Sequence, residues 1–196
     1  MVDNIVEQRG PFTVTKRQTV LNHYHMEVNL DDVIRPDGTP GEYSWINFPR
    51  QAVLVYPLGN NGNIYLAREF VYGLNAYKIE AAGGVIEEGE SPVDAARRKA
   101  MVELGLEVES LRPLGPQATI TSRVYNVTHS FLARIQEGSQ PARPRSGDDI
   151  SLTVFPFAEV MDMVRRRVIN TAIIASDLWT INDLINQGQI SLRPTS

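Results

Sequence analysis

The sequence contains no cysteine and only three histidines among its 196 residues. The lack of cysteine excludes disulfide bridges, thiolate metal ligands and cysteine nucleophiles. No apolar run approaches the length of a membrane span, and residues 1–9 lack the basic and apolar regions of a secretory signal. The formal net charge of −4 at pH 7 disfavours a nucleic-acid-binding protein, which needs clustered Lys and Arg. We therefore expect a cytoplasmic protein that binds neither nucleic acid nor membrane.

The sequence does contain enough apolar residues, 42% of the chain, to bury a full core in one domain with a small attachment. Apolar alternation and turn signals predict strands at Thr13–Val20, His23–Leu30, Tyr43–Phe48, Ala52–Tyr56, Ile64–Phe70, Tyr77–Glu80, near Glu107–Leu111, Val127–Ile135 and Ile150–Phe155. Helices are predicted over Pro156–Arg167 and about Thr171–Asn186. The loop from Glu137 to Asp149 is the best candidate for disorder. We divide the chain into a β-rich extension, 1–50, and a main domain, 51–196.

A further helix is predicted from local capping signals. Ser91 is a typical N-cap, Pro92 suits the first helical position, and Asp94 can close a capping box. Good helix formers follow, and Gly105 stands where a C-cap glycine is expected. A short strand and the Gly83-Gly84 turn precede the helix. The segment therefore reads as strand, glycine loop, capped helix and glycine stop.

Residues 84–106, which we call the box, resemble the Nudix box. The positions in register with that motif are Gly84, Glu90, Arg98, Glu103, Gly105 and Leu106. Two acidic positions of the motif are replaced, one by Lys99 and one by Val102. The scaffold of the motif is thus present, whereas its metal site is altered.

Over nearly its full length the chain is similar to the ADP-ribose pyrophosphatase (nucleoside-diphosphate-sugar) branch of the Nudix family. The resemblance implies an α+β fold, in which a mixed β-sheet lies between helices as an α/β/α sandwich, with the β-rich extension added. It also implies a homodimer that pairs through the extension, and a small nucleotide-sugar-like ligand. If the protein is an enzyme, its cofactor is magnesium; otherwise it needs none.

The two replacements bear directly on metal binding. In the family, glutamates at the positions of Lys99 and Glu103 are the main magnesium ligands, so Glu103 is the one metal ligand retained, and it can bind magnesium only weakly. A lysine ammonium ~4 Å from a divalent ion costs several kcal/mol even at an effective dielectric constant of ~20. The simplest alternative is that Lys99 pairs with Glu103, four residues on, and occupies the metal's position.

By resemblance, Glu103 and Glu80 are the catalytic candidates, with Glu87 or Glu88 as further acids. The Glu90 and Arg98 pair is structural in the family, as are Gly84 and Gly105. Trp45 and Arg68 are the candidate substrate-binding residues. In similar enzymes the extension supplies aromatic side chains that stack on the nucleotide base, although packing in a core or a dimer would explain Trp45 equally well.

The histidines have simpler structural interpretations. His23 and His25 are predicted at alternate positions on one strand face, and a surface pair is favoured over a metal site because no third ligand is evident. His129 is isolated and is interpreted as structural. The cations at 165–167 suit a helix carboxyl end.

Three functions remain open at this point. The first is a hydrolase of nucleoside-diphosphate sugars such as ADP-ribose, whose metal site is displaced or has fewer ligands than is usual in the family. The second is a non-catalytic protein that binds a nucleotide sugar or related metabolite, or regulates a partner. The third is an enzyme of altered chemistry that needs no magnesium in the box.

Overall fold

The computed structural model describes residues 7–118, 121–139, 141 and 149–191. Most of the loop predicted to be disordered, residues 140 and 142–148, lies outside these ranges. The chain forms two compact units, one of Met1–Gln51 with Ala118–Val127 and one of Ala52–Gln117 with Thr128–Ser196. Segment 118–127 therefore joins the first unit, whereas the division drawn from the sequence put it in 51–196. Among the described helices, none is both long and apolar enough to cross a membrane.

The first unit is a five-stranded sheet in the order β1-β2-β3-β4-β10. Its strands are β1 (Glu7–Arg9), β2 (Phe12–His23), β3 (Met26–Ile34), β4 (Pro40–Asn47) and β10 (Val124–Tyr125). Neighbours are antiparallel except β10, which runs parallel to β4. The turn between β3 and β4 is set by Asp37, whose carboxylate accepts hydrogen bonds from the Thr39 N–H and hydroxyl, and by Gly38 at φ +83°.

The prediction that His23–Leu30 is one strand is wrong. The structure ends β2 at His23 and begins β3 at Met26, so His25 lies in the turn of a hairpin rather than on a strand face. The two imidazole rings are 6.3 Å apart, and Tyr24 stacks edge-on against His25. Apolar alternation runs up to this turn on both sides without a Gly or Pro to mark it, which is why the sequence pattern missed it.

The second unit is built on a seven-stranded mixed sheet. Its strands are β5 (Ala52–Leu58), β6 (Asn63–Val71), β7 (Ala76–Glu80), β8 (Ala82–Val85), β9 (Val108–Gln117), β11 (Thr128–Ile135) and β12 (Ile150–Pro156). The main order is β12-β6-β5-β11-β9, with β7 paired to β6 and β8 paired to β5. Strand β5 is central, because it pairs in parallel with β11 and antiparallel with β6 and β8.

Helices cover both faces of this sheet, which confirms the predicted α+β class with a sheet between helices. On one face, α2 (Phe157–Arg165) and α3 (Ala172–Asn186) bury residues such as Val160, Ile174 and Leu178 against the sheet. On the other face, α1 (Pro92–Lys99) and the turn that follows it bury small residues of the box helix, including Ala95, Ala96 and Ala100. Each face of the sheet has its own hydrophobic core, and alternate residues of β5 pack into one or the other. Val53 packs on the side of the box helix, and Tyr56 packs on the side of α2 and α3.

The box helix begins as the sequence predicts and ends with a wider turn. Ser91 is the N-cap, and its hydroxyl oxygen accepts from the Asp94 N–H at 3.1 Å. From Ala100 to Leu104 the backbone is a π-helical turn, and Gly105 ends it in the left-handed conformation at φ +67°. Such turns are uncommon and often occur at functional sites, and this one contains Glu103.

Candidate functional site

The centre of the box is an ion pair between Lys99 and Glu103. The Lys99 ammonium lies 3.1 Å from Glu103 Oε1, and the Gly83 N–H donates to Glu103 Oε2 at 2.9 Å. The Glu103 side chain is only 7% exposed and that of Lys99 19%. The pairing predicted as the simplest alternative is therefore present, and both oxygens of Glu103 already have a protein donor.

Two glycines of β8 stand where a side chain would not fit, and one of them borders Lys99. Strand β8 places Gly83 and Gly84 opposite Leu54 and Val53 of β5. A Cβ on Gly84 would lie 2.6 Å from Lys99 Nζ, and one on Gly83 would lie 2.4 Å from the Val53 carbonyl oxygen. Gly84 also has φ +140°, which side-chain-bearing residues rarely adopt. The lysine thus lies directly against the glycine loop of the box.

These residues do not fit a magnesium ion. Magnesium takes near-octahedral oxygen ligands and is usually held by one or two free carboxylates. Glu103 is paired with an ammonium, and the described ranges contain no group of three or more His, Cys, Asp or Glu residues arranged to hold a metal. Lys99 places a positive charge beside the Glu103 carboxylate.

The Glu90 and Arg98 pair braces the loop before the box helix. Arg98 donates from Nε and Nη2 to the two oxygens of Glu90, each at 2.7 Å, and Nη2 also donates to the Val85 carbonyl at 3.2 Å. The Glu90 carboxylate also accepts the Glu87 N–H at 3.0 Å. The guanidinium holds the pKa of Glu90 at about 2, below its ordinary value of 4.5. The two-point ion pair and the bond to Val85 hold this loop against the box helix.

The pKa of Glu90 makes the pair a source of pH-dependent stability. Since the folded pKa is lowered, the pair stabilises the fold above about pH 4.5 and loses this contribution as pH falls toward 2. We expect Glu90→Gln to lower the free energy of unfolding by about 1 kcal/mol at pH 6 and by much less at pH 3. Urea denaturation at the two pH values measures this, with the exposed neighbour Glu88→Gln as control. An equal loss at both pH values would contradict the assignment.

The other acids proposed from the sequence do not cluster with Glu103 into a metal site. Glu80 ends β7 and accepts from the Thr171 hydroxyl at 2.5 Å, and its burial raises its pKa. Glu87 is 66% exposed and lies 3.4 Å from Arg98, and Glu88 is exposed. Glu80 is therefore a partly buried acid with a raised proton affinity.

Trp45 lies in a cavity of the first unit. Its indole N–H donates to Asp31 Oδ2 at 3.0 Å, and the guanidinium of Arg9 lies 4.2 Å from its ring centroid. Asp31 is held in turn by a two-point ion pair with Arg17. The cavity, of about 410 Å³, has cationic and aromatic walls: Arg9, Phe12, Tyr43, Trp45, Arg123 and Tyr125. This lining is suited to a flat, electron-rich ring.

Arg68 lies in the second unit. It is exposed on β6, and its guanidinium stacks 3.8 Å from the ring centroid of Tyr77. Tyr77 in turn donates a hydrogen bond to Asp149. Tyr77 thus holds the Arg68 guanidinium in place on the exposed side of β6.

Sequence reasoning missed a buried polar network around Asp177. This carboxylate is fully buried on α3 and accepts from the Tyr56 hydroxyl at 2.8 Å, the Ser130 hydroxyl at 2.6 Å and the Gln117 amide. Burial raises its pKa. The available signal was its spacing, since Asp177 falls on the apolar stripe formed by Ile174, Leu178 and Ile181.

Comparisons with known proteins agree with this architecture. The family model for the NUDIX domain matches residues 48–172. ADP compounds hydrolase NudE of Escherichia coli (strain K12) is 26% identical over 147 residues, which cover 72% of this chain and 75% of that protein. ADP-ribose pyrophosphatase of Bacillus subtilis (strain 168) is 24% identical over 151 residues, 77% of each chain. A crystal structure of an ADP compounds hydrolase superposes with a TM-score of 0.81 at 22% identity, covering 94% of this chain and 100% of that one.

Proposed function

Since this chain belongs to the Nudix family, we propose that it binds a nucleoside-diphosphate sugar or related ADP compound at its box. In this proposal Lys99 supplies the positive charge that a magnesium ion supplies in the family. The hydrolysis of the ligand is weak or absent. The two relatives, an ADP compounds hydrolase and an ADP-ribose pyrophosphatase, support this class of ligand.

The observation that carries the proposal is the contact between Lys99 and Glu103. A divalent ion bound to Glu103 would have to displace or approach an ammonium that lies 3.1 Å from the carboxylate. At ~4 Å and an effective dielectric constant of ~20, each pair of unit charges interacts by about 4 kcal/mol. An ammonium against the glycine loop can instead attract a diphosphate oxygen directly, as a point charge with three donors.

Binding without the ion leaves the chemical step poorly supported. Splitting a diphosphate needs compensation of the developing negative charge and a hydroxide-like nucleophile, both of which metal ions provide. Lys99 can compensate part of the negative charge, but it cannot generate the nucleophile. We therefore expect ligand affinity to be retained better than turnover.

The remaining roles are extensions of the same proposal. Trp45, with the cationic and aromatic cavity around it, would stack on the nucleotide base, and Arg68 would contact the diphosphate or sugar. The β-rich extension would pair two copies of the chain into a homodimer. The protein would act in the cytoplasm.

A weak hydrolase is the second candidate, and Glu80 favours it. A carboxyl whose pKa is raised by burial has a proton affinity better suited to general acid or base catalysis near neutral pH. In this case Glu80 would replace a missing acid of the box. Both relatives are named for hydrolytic activity, which supports this candidate.

Thermal shift assays with ADP-ribose, with and without magnesium, separate the two candidates. A ligand at 100 times its dissociation constant stabilises by about 2.7 kcal/mol, which is a shift of roughly 5 to 10 °C for a chain of this size. We expect such a shift to be largely independent of magnesium and lost in Lys99→Gln. The matched control Lys16→Gln, an exposed lysine of the first unit, should retain it.

Two results would overturn the binding proposal. One is stabilisation that requires magnesium and is accompanied by release of AMP, which would establish the hydrolase. The other is a shift of the same size in Lys99→Gln, which would mean that Lys99 does not hold the ligand. Calorimetric titration tests the box directly. A micromolar magnesium or manganese site that is lost in Glu103→Gln would contradict the proposal that Lys99 prevents metal binding at Glu103.

A further inference from the structure

A small polar pocket of about 210 Å³ lies in the second unit, away from the box. It is bounded by the turn between β5 and β6, by β9 and β11, and by the residues that follow α3. Its polar lining comprises Asn60, Ser110, Arg112, Arg134, Gln189 and Ser191. Two of these six residues are arginines, and the described part of the lining includes no acidic residue.

Strand register brings the two guanidinium groups to the same side of the sheet. Arg112 pairs with Leu132, and Arg134, two residues along β11, pairs with Ser110 without an intervening bulge. Paired residues in an antiparallel ladder share a face, so both arginines lie on the face of Leu132. Such diagonal neighbours lie about 7 to 8 Å apart, which allows two arginine side chains to reach one small anion.

Among the described residues, neither cation has a carboxylate partner. Arg134 donates to the Asn60 side-chain oxygen at 2.7 Å, and Arg112 donates to the Gln189 side-chain oxygen at 2.6 Å. Within the described ranges no Asp or Glu oxygen lies within 4.0 Å of either guanidinium, unlike those of Arg17 and Arg98. A guanidinium has five N–H donors, so each of the pair keeps several for a ligand.

From this geometry we propose that the pocket is an oxyanion site that binds inorganic phosphate or a phosphomonoester between Arg112 and Arg134. Arginine forks match phosphate oxygens in a two-point geometry. The neutral amides of Asn60 and Gln189 hold the guanidinium groups without neutralising them. Ser110 and Ser191 add hydroxyl donors at the rim.

The proposed site is separate from the box. Leu132 packs in the core under α2 and α3, whereas the box helix covers the opposite face of the sheet. Along β5, Arg134 pairs with Leu58, while Gly83 of the box pairs with Leu54, about 13 Å away. The inference therefore does not depend on the function proposed for Lys99.

Backbone amide NMR during titration with sodium phosphate tests the proposal, with sodium chloride at equal ionic strength as reference. We expect saturable shifts at Gly59, Arg112 and Ser191. Arg112→Gln and Arg134→Gln should each weaken phosphate binding at least fivefold, and the double variant should abolish these shifts. Arg166→Gln, which changes an exposed arginine that does not line the pocket, should leave the dissociation constant unchanged.

Two further arms define the outcome. Lys99→Gln should retain the shifts at the pocket, because the box is not involved. AMP binding more tightly than phosphate at the same amides would identify a phosphomonoester as the preferred ligand, and equal affinity would identify free phosphate. The proposal is overturned if phosphate gives no saturable shift at the pocket, or if the folded double variant binds it with the wild-type dissociation constant.

Discussion

Replacing Asp177 with alanine is expected to lower the free energy of unfolding by about 3 to 5 kcal/mol. The carboxylate is fully buried and accepts hydrogen bonds from Tyr56, Gln117 and Ser130. Its removal leaves three donors unpaired, each costing about 1 to 3 kcal/mol when buried, with partial relief from water or rearrangement. The melting temperature should fall by roughly 10 °C.

Urea denaturation measures this effect, provided that the dependence of the unfolding free energy on urea concentration is the same in variant and wild type. Asp183→Ala provides a matched control, because Asp183 is exposed on the same helix and accepts only from Gln187; we expect a loss within about 0.5 kcal/mol. Tyr56→Phe, which removes one donor, should cost about 1 kcal/mol. A loss below 1 kcal/mol for Asp177→Ala would mean that the network contributes little to stability.

The double change Lys99→Glu with Val102→Glu is expected to give stronger metal binding and faster metal-dependent turnover than the wild-type chain. It changes the charge at position 99 by two units and places two carboxylates, at 99 and 103, four residues apart on one helix face. Freed from the ammonium, Glu103 could act as a ligand. We expect a manganese site of micromolar affinity by calorimetry and release of AMP from ADP-ribose.

Lys99→Gln is the control for this repair, because it removes the ammonium without adding a ligand. It should bind manganese only weakly and remain inactive. If the folded double variant gains the metal site without turnover, the missing activity lies in the substrate pocket rather than in the ligands. If it gains neither, position 99 does not face the place where the family holds its ion.

The sequence predicted best those features that depend on neighbouring residues. The serine cap and glycine stop of the box helix act within one turn, and the Lys99 and Glu103 contact follows from their spacing of four. The sheet between helices was implied by the resemblance to the Nudix family, and the structure and its relatives confirm it. Helix caps and contacts at a spacing of four can be predicted from one sequence because they join residues that are close along the chain.

Features that join distant segments were not predictable in the same way. The Tyr56 and Asp177 contact spans 121 positions, and no local pattern indicates which donors will meet a buried acid. The hairpin turn at His25 lacks the Gly or Pro that would mark it. The sequence predicts a regular α-helix up to Gly105, whereas the structure has a wider, π-helical turn from Ala100 to Leu104.

The pairing of β10 with β4 has a consequence for synthesis on the ribosome. Strands β1 to β4 can form a sheet as soon as they emerge, but the open edge of β4 is covered only when Val124 and Tyr125 arrive. Roughly 75 further residues must first be translated, which takes about 4 to 15 s at ordinary elongation rates. During that interval the nascent chain presents an unpaired strand edge, where association with other chains is favoured.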